Sequence, residues 1–232
     1  MNQIAPKTAR ERLEQTRARI DAACRSADRS TDSVALLAVS KRKPVEAIRE
    51  LYELGQRAFG ENYVDEGVGK IRELADLALE WHYIGPIQSN KTKLIAAHFD
   101  WVESIDRAKI VRRLADQRPD HLPPLKVLIQ VNLDDESQKA GCAPEQIAEL
   151  AEQIADSERL ELRGLMAIPA PREDFDDQRA VFGRLRRLFE ALREKYPEAD
   201  TLSAGMTADL EAAIAEGSTE IRIGTALFGP RD

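Results

Sequence analysis

The sequence predicts one α/β domain, a closed (β/α)8 barrel of the TIM type with an additional N-terminal helix. Three observations lead there. Short apolar runs alternate with amphipathic stretches eight times along the chain, and that alternation puts a parallel sheet inside and helices outside. The 232 residues divide into units of about 29, a natural length for a strand and its helix. No low-complexity linker divides the chain, so residues 1–232 are expected to form a single domain, with 1–30 packing on it as a helix. An open, doubly wound sheet is the alternative, because periodicity does not count closure.

The elements follow in order. From about Lys7 to Ala27, Leu13, Thr16, Ile20 and Ala23 share one face of a helix whose other face is charged. "VALLAVS" is too short for a good helix and reads as a buried strand. Pro44 to Leu54 is a helix, with Pro44 suited to its first turn and Gly55 to its stop. "RAFGEN", "EWHYIGP" and "DWVESID" are the next strands, separated by the helices "YVDEGVGKIRELADLA" and "SNKTKLIAAH". The helix "RAKIVRRLADQ" and the proline-broken loop "RPDHLPP" lead to "LKVLIQVN", the strongest strand pattern of all. Then come the helix "PEQIAELAEQIAD", the strand "LELRGLMAI" and the long helix "FDDQRAVFGRLRRLFEALREKY". The strand "DTLSAGM", the helix "ADLEAAIAEG" and the strand "TEIRIGTALFG" finish the pattern.

Bulk properties narrow the function. Hydrophobic residues make up 43% and charged residues 32%, a soluble balance. A net charge of −7 gives no broad attraction to nucleic acid or anionic membrane. No apolar run approaches the roughly 20 residues of a membrane-spanning helix. The N-terminus lacks the apolar centre of a signal peptide. Cys24 and Cys142 stand outside any CxxC pattern and read as free thiols of a reducing cytoplasm.

Chemistry in such barrels sits at the C-terminal strand ends. Those ends carry Ser40 and Lys41, then Glu61 and Asn62, then "IGPIQSNK", with His82 inside the third strand. Two small-residue clusters follow the last strands: Ser203 and Gly205, then Gly224 and Thr225. They let backbone N–H groups approach an anion closely, and Thr207 is suited to cap the helix between them. Loops seven and eight of these barrels frequently hold phosphate. Arg222 lies inside an apolar strand, where a guanidinium needs an acceptor; an ion pair and a ligand are both open. A lysine desolvated near other cations can attack a carbonyl as the free amine, and Lys41 has Arg42 and Lys43 beside it. Taken alone, the "KRK" run is a solvated turn. A phosphate cup together with an aldehyde-capturing lysine describes pyridoxal 5′-phosphate (PLP).

Other motifs are set aside. His82, His98 and His121 lie apart from any metal-ligand spacing, so no metal site is expected, and the last two are assigned to the surface. "EGVGKI" lacks the first glycine and the Ser/Thr of a phosphate loop. Lys139 and Cys142 share a loop and are expected to face solvent.

"AVSKRKP", "FGENYVDE", "WHYIGPIQSNK", "QVNLDDESQKAG", "GLMAIPAP" and "GSTEIRIGTALFG" resemble the pyridoxal phosphate homeostasis proteins, relatives of the N-terminal barrel of alanine racemase. The likeness runs from about Val34 to Gly229, and six ordered motifs make it specific. It implies that Lys41 holds PLP as a Schiff base and that Arg222 faces the pyridine nitrogen. Ser203, Gly224 and Thr225 would hold the phosphate, with backbone help from Gly205 and Met206. Asn62 and His82 would lie near the cofactor. The family commonly has methionine at Ala204, serine at Thr207 and methionine at Leu210, so the fine shape of the pocket differs here.

The resemblance implies a cytoplasmic vitamin B6 protein that balances PLP and amino-acid pools and does not turn over a substrate. A monomer is expected, with apo-PLP enzymes or amino acids as transient partners. The alternative is a low-activity PLP-dependent amino-acid racemase. A racemase needs a proton donor on each face of the substrate carbanion, and Lys41 serves only one. The sequence stops at Asp232, just after the eighth strand, so no second domain is expected to supply the other. A third reading, a barrel enzyme acting on a phosphorylated sugar through Lys41, fits the phosphate cup but not the six motifs.

Overall fold

The computed structural model describes residues 8–134 and 140–229, so Lys139 lies outside the described residues. Helix α1 (Ala9–Ser26) starts at a capping box, in which Glu11 N–H donates to Thr8 Oγ1 and Thr8 N–H to Glu11 Oε2. It buries Leu13, Thr16, Ile20 and Ala23, the face read from the sequence.

Eight strands follow among the described residues: β1 (Ala35–Val39), β2 (Ala58–Glu61), β3 (Glu80–Tyr83), β4 (Trp101–Ile105), β5 (Leu125–Gln130), β6 (Leu160–Met166), β7 (Thr201–Ser203) and β8 (Glu220–Ile223). Each pairs in parallel with the next, and β8 returns to β1 with Leu37 opposite Arg222, so the sheet is a closed barrel. The helices between them are α2 (Val45–Glu53), α3 (Val64–Glu73), α4 (Thr92–His98), α5 (Ala108–Gln117), α6 (Ile147–Ala155), α7 (Phe175–Lys195) and α8 (Leu210–Ala215). The main apolar core lies between sheet and helices, and α1 packs on α8. Trp101, Leu128 and Met166 form a separate small cluster. Side chains alternate along a strand, so Trp101 and Glu103 share one face of β4 and point into the lumen.

Four local expectations change. Pro44 is the N-cap of α2 rather than a residue of its first turn. Thr207 is exposed and caps nothing; α8 begins three residues later at Leu210, after Asp209 Oδ1 has taken the Met206 N–H and shaped the turn. The eighth strand ends at Ile223, and a short helix α9 (Thr225–Phe228) takes up residues read as strand. Cys142 is buried, not solvent-facing, because its backbone bridges to Val131 and donates to Gln130 O.

Candidate functional site

The C-terminal end of β1 leads into a tight turn in which Lys43 N–H donates to Ser40 O. Arg42 has φ 60, a left-handed conformation that a bulky side chain seldom adopts. The three basic residues of this turn have different fates. Arg42 donates to Tyr63 Oη at 3.0 Å and stacks over the Tyr63 ring. Lys43 Nζ donates to Gly229 O at 3.2 Å, across the mouth. Lys41 is half-buried, and among the described residues its amine has no hydrogen-bond or ion-pair partner.

Asn62 follows β2, and its Oδ1 is buried without a partner among the described residues. Its backbone is held tightly: a Cβ on Gly85 would lie 2.1 Å from Asn62 O.

Below the mouth, β3, β4, β7 and β8 send charged side chains into the lumen. His82 Nδ1 donates to Glu103 Oε1 at 2.7 Å, and the imidazole stacks on Trp101 with centroids 5.1 Å apart. The Ser203 hydroxyl donates to Glu103 Oε2 at 2.6 Å and sits 2.8 Å from Glu220 Oε1. Arg222 donates to Ser203 Oγ at 2.6 Å and to Ala167 O at 2.8 Å. All five polar side chains are buried. Burial alone would lower the His82 imidazole, but the bond to Glu103 and the nearby Glu80 and Glu220 carboxyls outweigh it and raise the group to about 10. His82 Nε2 lies 4.0 Å from Glu80 Oε2, too far for a hydrogen bond, so Glu80 acts there through its charge. Burial and the Glu103 charge push Glu220 up to about 8. Glu103 is itself held below its ordinary value, because His82, Arg222 and Ser203 together outweigh its burial.

Ligand atoms of His82, Glu103 and Glu220 lie within 4.8 Å of one another, a possible three-donor metal set. The chemistry of that set favours protons: His82 and Arg222 balance the Glu103 charge, and Glu220 keeps its own proton up to about 8.

This cluster sets a pH dependence. His82 is raised in the fold, so its stabilisation is complete below its ordinary 6.5 and is lost as pH rises toward about 10. Glu220 holds its proton to about 8 in the fold while the unfolded chain releases it near 4.5, so rising pH favours unfolding there too. Glu80, lowered to about 2 chiefly by His82, acts oppositely and only in acid. Between pH 6 and 9 the urea midpoint is expected to fall, as the unfolding free energy drops by at least about 1.4 kcal/mol, the worth of one pKa unit. Glu220→Gln should flatten the profile; equal midpoints for the native protein at both pH values would contradict this account.

The two small-residue clusters meet at the other side of the mouth. Gly205 has φ 97, and a Cβ there would lie 2.6 Å from Ala213 Cβ, so packing requires this glycine. Gly224 differs: a Cβ there would find only ordinary contacts, the nearest being Val39 O at 3.4 Å. Among the described residues the N–H groups of Thr225 and Ala226 find no acceptor, whereas Met206, an exposed residue, gives its N–H to Asp209. Of the expected phosphate residues, Gly224 and Thr225 thus offer space and donors. Ser203 has its hydroxyl committed to the lumen.

Sequence reasoning did not single out Glu103 and Glu220. A lone carboxylate inside the apolar strand "WVESI", and another two residues before Arg222, were the available signs. For the remaining histidines, His121 is exposed and His98 is half-buried, with Nδ1 at 2.9 Å from Leu94 O.

Comparison with known proteins agrees with this geometry. Residues 13–232 match the family described as alanine racemase, N-terminal domain. A pyridoxal phosphate homeostasis protein of Vibrio cholerae is 54% identical over 230 residues, covering 97% of this chain and 98% of that protein. One from Pseudomonas aeruginosa is 55% identical over 225 residues, covering 97% and 96%. The structure of PipY from Synechococcus elongatus with PLP bound superposes with a TM-score of 0.83 at 36% identity, covering 96% of this chain and 100% of PipY. Alanine racemase of Clostridium difficile shares the fold alone, with a TM-score of 0.75 at 11% identity, and this chain spans 57% of it. An eight-stranded barrel with a free lysine at its first strand end, and full-length relatives at more than half identity, place the chain in the family of pyridoxal phosphate homeostasis proteins.

Proposed function

We propose that this protein binds PLP at the C-terminal mouth of the barrel, joined to Lys41 through a Schiff base, and serves PLP and amino-acid balance in the cytoplasm. The observation that carries the reading is the uncommitted amine of Lys41 beside two committed basic neighbours. The other groups at the mouth fit the same cofactor. Gly224 leaves room for a phosphate, and the Thr225 and Ala226 N–H groups can donate to it. Asn62 follows β2 at the same mouth and is proposed to lie beside the cofactor. When bound, PLP supplies an aldehyde that captures amines and a ring that withdraws electrons.

The protein's own groups limit that chemistry. Arg222, proposed to face the ring nitrogen, is a permanent cation and does not give up its proton. Ser203 and Ala167 O fix its guanidinium from below. A ring held this way withdraws electrons less than one paired with a carboxylate, which favours storage of the cofactor over turnover.

Borohydride reduction of the PLP-loaded protein, followed by mass mapping, tests the reading. The label is expected on Lys41 and is expected to vanish in Lys41→Ala. A label on Lys43, or on no lysine, overturns it. Absence of measurable amino-acid racemisation by the same preparation separates a carrier from a slow racemase.

A further inference from the structure

The sequence reading leaves Glu61, Glu66 and Lys70 without a role, and the fold brings all three under the turn that carries Lys41. Lys70 and Glu66 lie on α3, and Glu61 ends β2. The Lys70 and Glu61 side chains are 7% and 0% exposed. Lys70 Nζ donates to Ser40 O at 2.7 Å, to Glu61 Oε1 at 2.8 Å and to Glu66 Oε1 at 2.6 Å. An ammonium has three donors, so this one is saturated. Ser40 Oγ donates to Glu61 Oε1 at 2.6 Å, and Arg42 N–H donates to Glu66 Oε1 at 2.5 Å. The residues on either side of Lys41 are therefore tied to one buried cation, while Lys41 is not.

A buried ion pair is weak evidence for stability, since desolvation offsets most of the attraction. Burial pushes the Glu61 carboxyl up, and Lys70 opposes that rise. The cluster does, however, hold Arg42 at φ 60, a conformation costing about 1–2 kcal/mol that the turn would otherwise leave.

We infer that Lys70, acting with Glu61 and Glu66, is a positioning residue that fixes the Lys41 turn so that its amine meets an aldehyde bound at the mouth. This rests on the reading of Lys41 as the PLP lysine. In the step it serves, the amine nitrogen adds to the aldehyde carbon, a C=N bond forms, and the carbonyl oxygen leaves as water with the two amine protons. Lys70 donates no proton to this step, since all its donors are engaged.

The test compares wild type, Lys70→Met and Glu66→Gln in two measurements. One is the rate of PLP attachment, read by rapid mixing and borohydride trapping. The other is the affinity for pyridoxine 5′-phosphate, which has no aldehyde and uses only the remaining contacts. Lys70→Met is expected to slow attachment on the order of tenfold or more, since misplacing a reacting group by an ångström is this costly. Its affinity for the analogue should stay within about twofold. Glu66→Gln, at a side chain 28% exposed, keeps the fold safe and should slow attachment less, in the same direction. Unchanged attachment rates, or equal losses in rate and analogue affinity, overturn the positioning role and leave Lys41 as the PLP lysine. A wild-type label away from Lys41 overturns both.

Discussion

Glu103→Leu is expected to destabilise the protein by about 3–5 kcal/mol, the cost of breaking a buried ion pair by removing one partner. Glu103 is fully buried and receives hydrogen bonds from His82 and Ser203. Its loss leaves the buried His82 ring without its hydrogen-bond acceptor and Arg222 without a nearby negative charge, and it removes one of the two causes that raise Glu220. The cost is a buried polar ring and a buried guanidinium that have lost their carboxylate partner. Chemical unfolding at pH 7 measures the loss, and the double variant His82→Leu/Glu103→Leu should recover part of it, because it removes a charge and its partner together. A loss below about 1 kcal/mol would show that water or rearrangement satisfies the cluster. The same variant reports on function, since Ser203 loses its Glu103 acceptor and Arg222, which donates to Ser203 Oγ, is expected to loosen with it.

Gly85→Ala is expected to damage both fold and site, at a cost of about 3 kcal/mol, the upper range for overpacking. The new Cβ would stand 2.1 Å from Asn62 O and 2.8 Å from the Asn62 Cα. Those atoms are backbone, so no rotamer change relieves the clash. The loop after β2 must move, and Asn62 moves with it, so PLP affinity should fall together with stability. Gly224→Ala is the matched comparison: its Cβ has only ordinary contacts and should leave stability within about 0.5 kcal/mol. Because Gly224 is proposed to line the phosphate site, PLP affinity is expected to fall there without a loss of stability. Normal stability and normal PLP affinity in Gly85→Ala would show that the loop yields without affecting the site.

The alternation of apolar strands with amphipathic helices determined the barrel, because period and length are local properties that any closed βα sheet must satisfy. Strand ends could be located too, and with them Lys41, Asn62 and Gly224 at the mouth. The resemblance of six motifs led from these residues to PLP, and relatives at 54% and 55% identity bear out that family. Within "SKRKP", however, three cations look alike. Only the fold committed Arg42 to Tyr63 and Lys43 to Gly229 O, leaving Lys41 without a partner among the described residues. Ser203 looked like a phosphate ligand because it is small and ends a strand. Barrel closure instead aimed its hydroxyl at Glu103, 100 residues earlier in the chain. The lumen cluster draws on β3, β4, β7 and β8, and the clamp below Lys41 joins the end of β1 to β2 and α3. Such contacts depend on which residues of distant strands face one another across the barrel. Local propensity carries no information about that register; hydrogen bonding between neighbouring strands sets it, and the burial of each charge against its partner then follows.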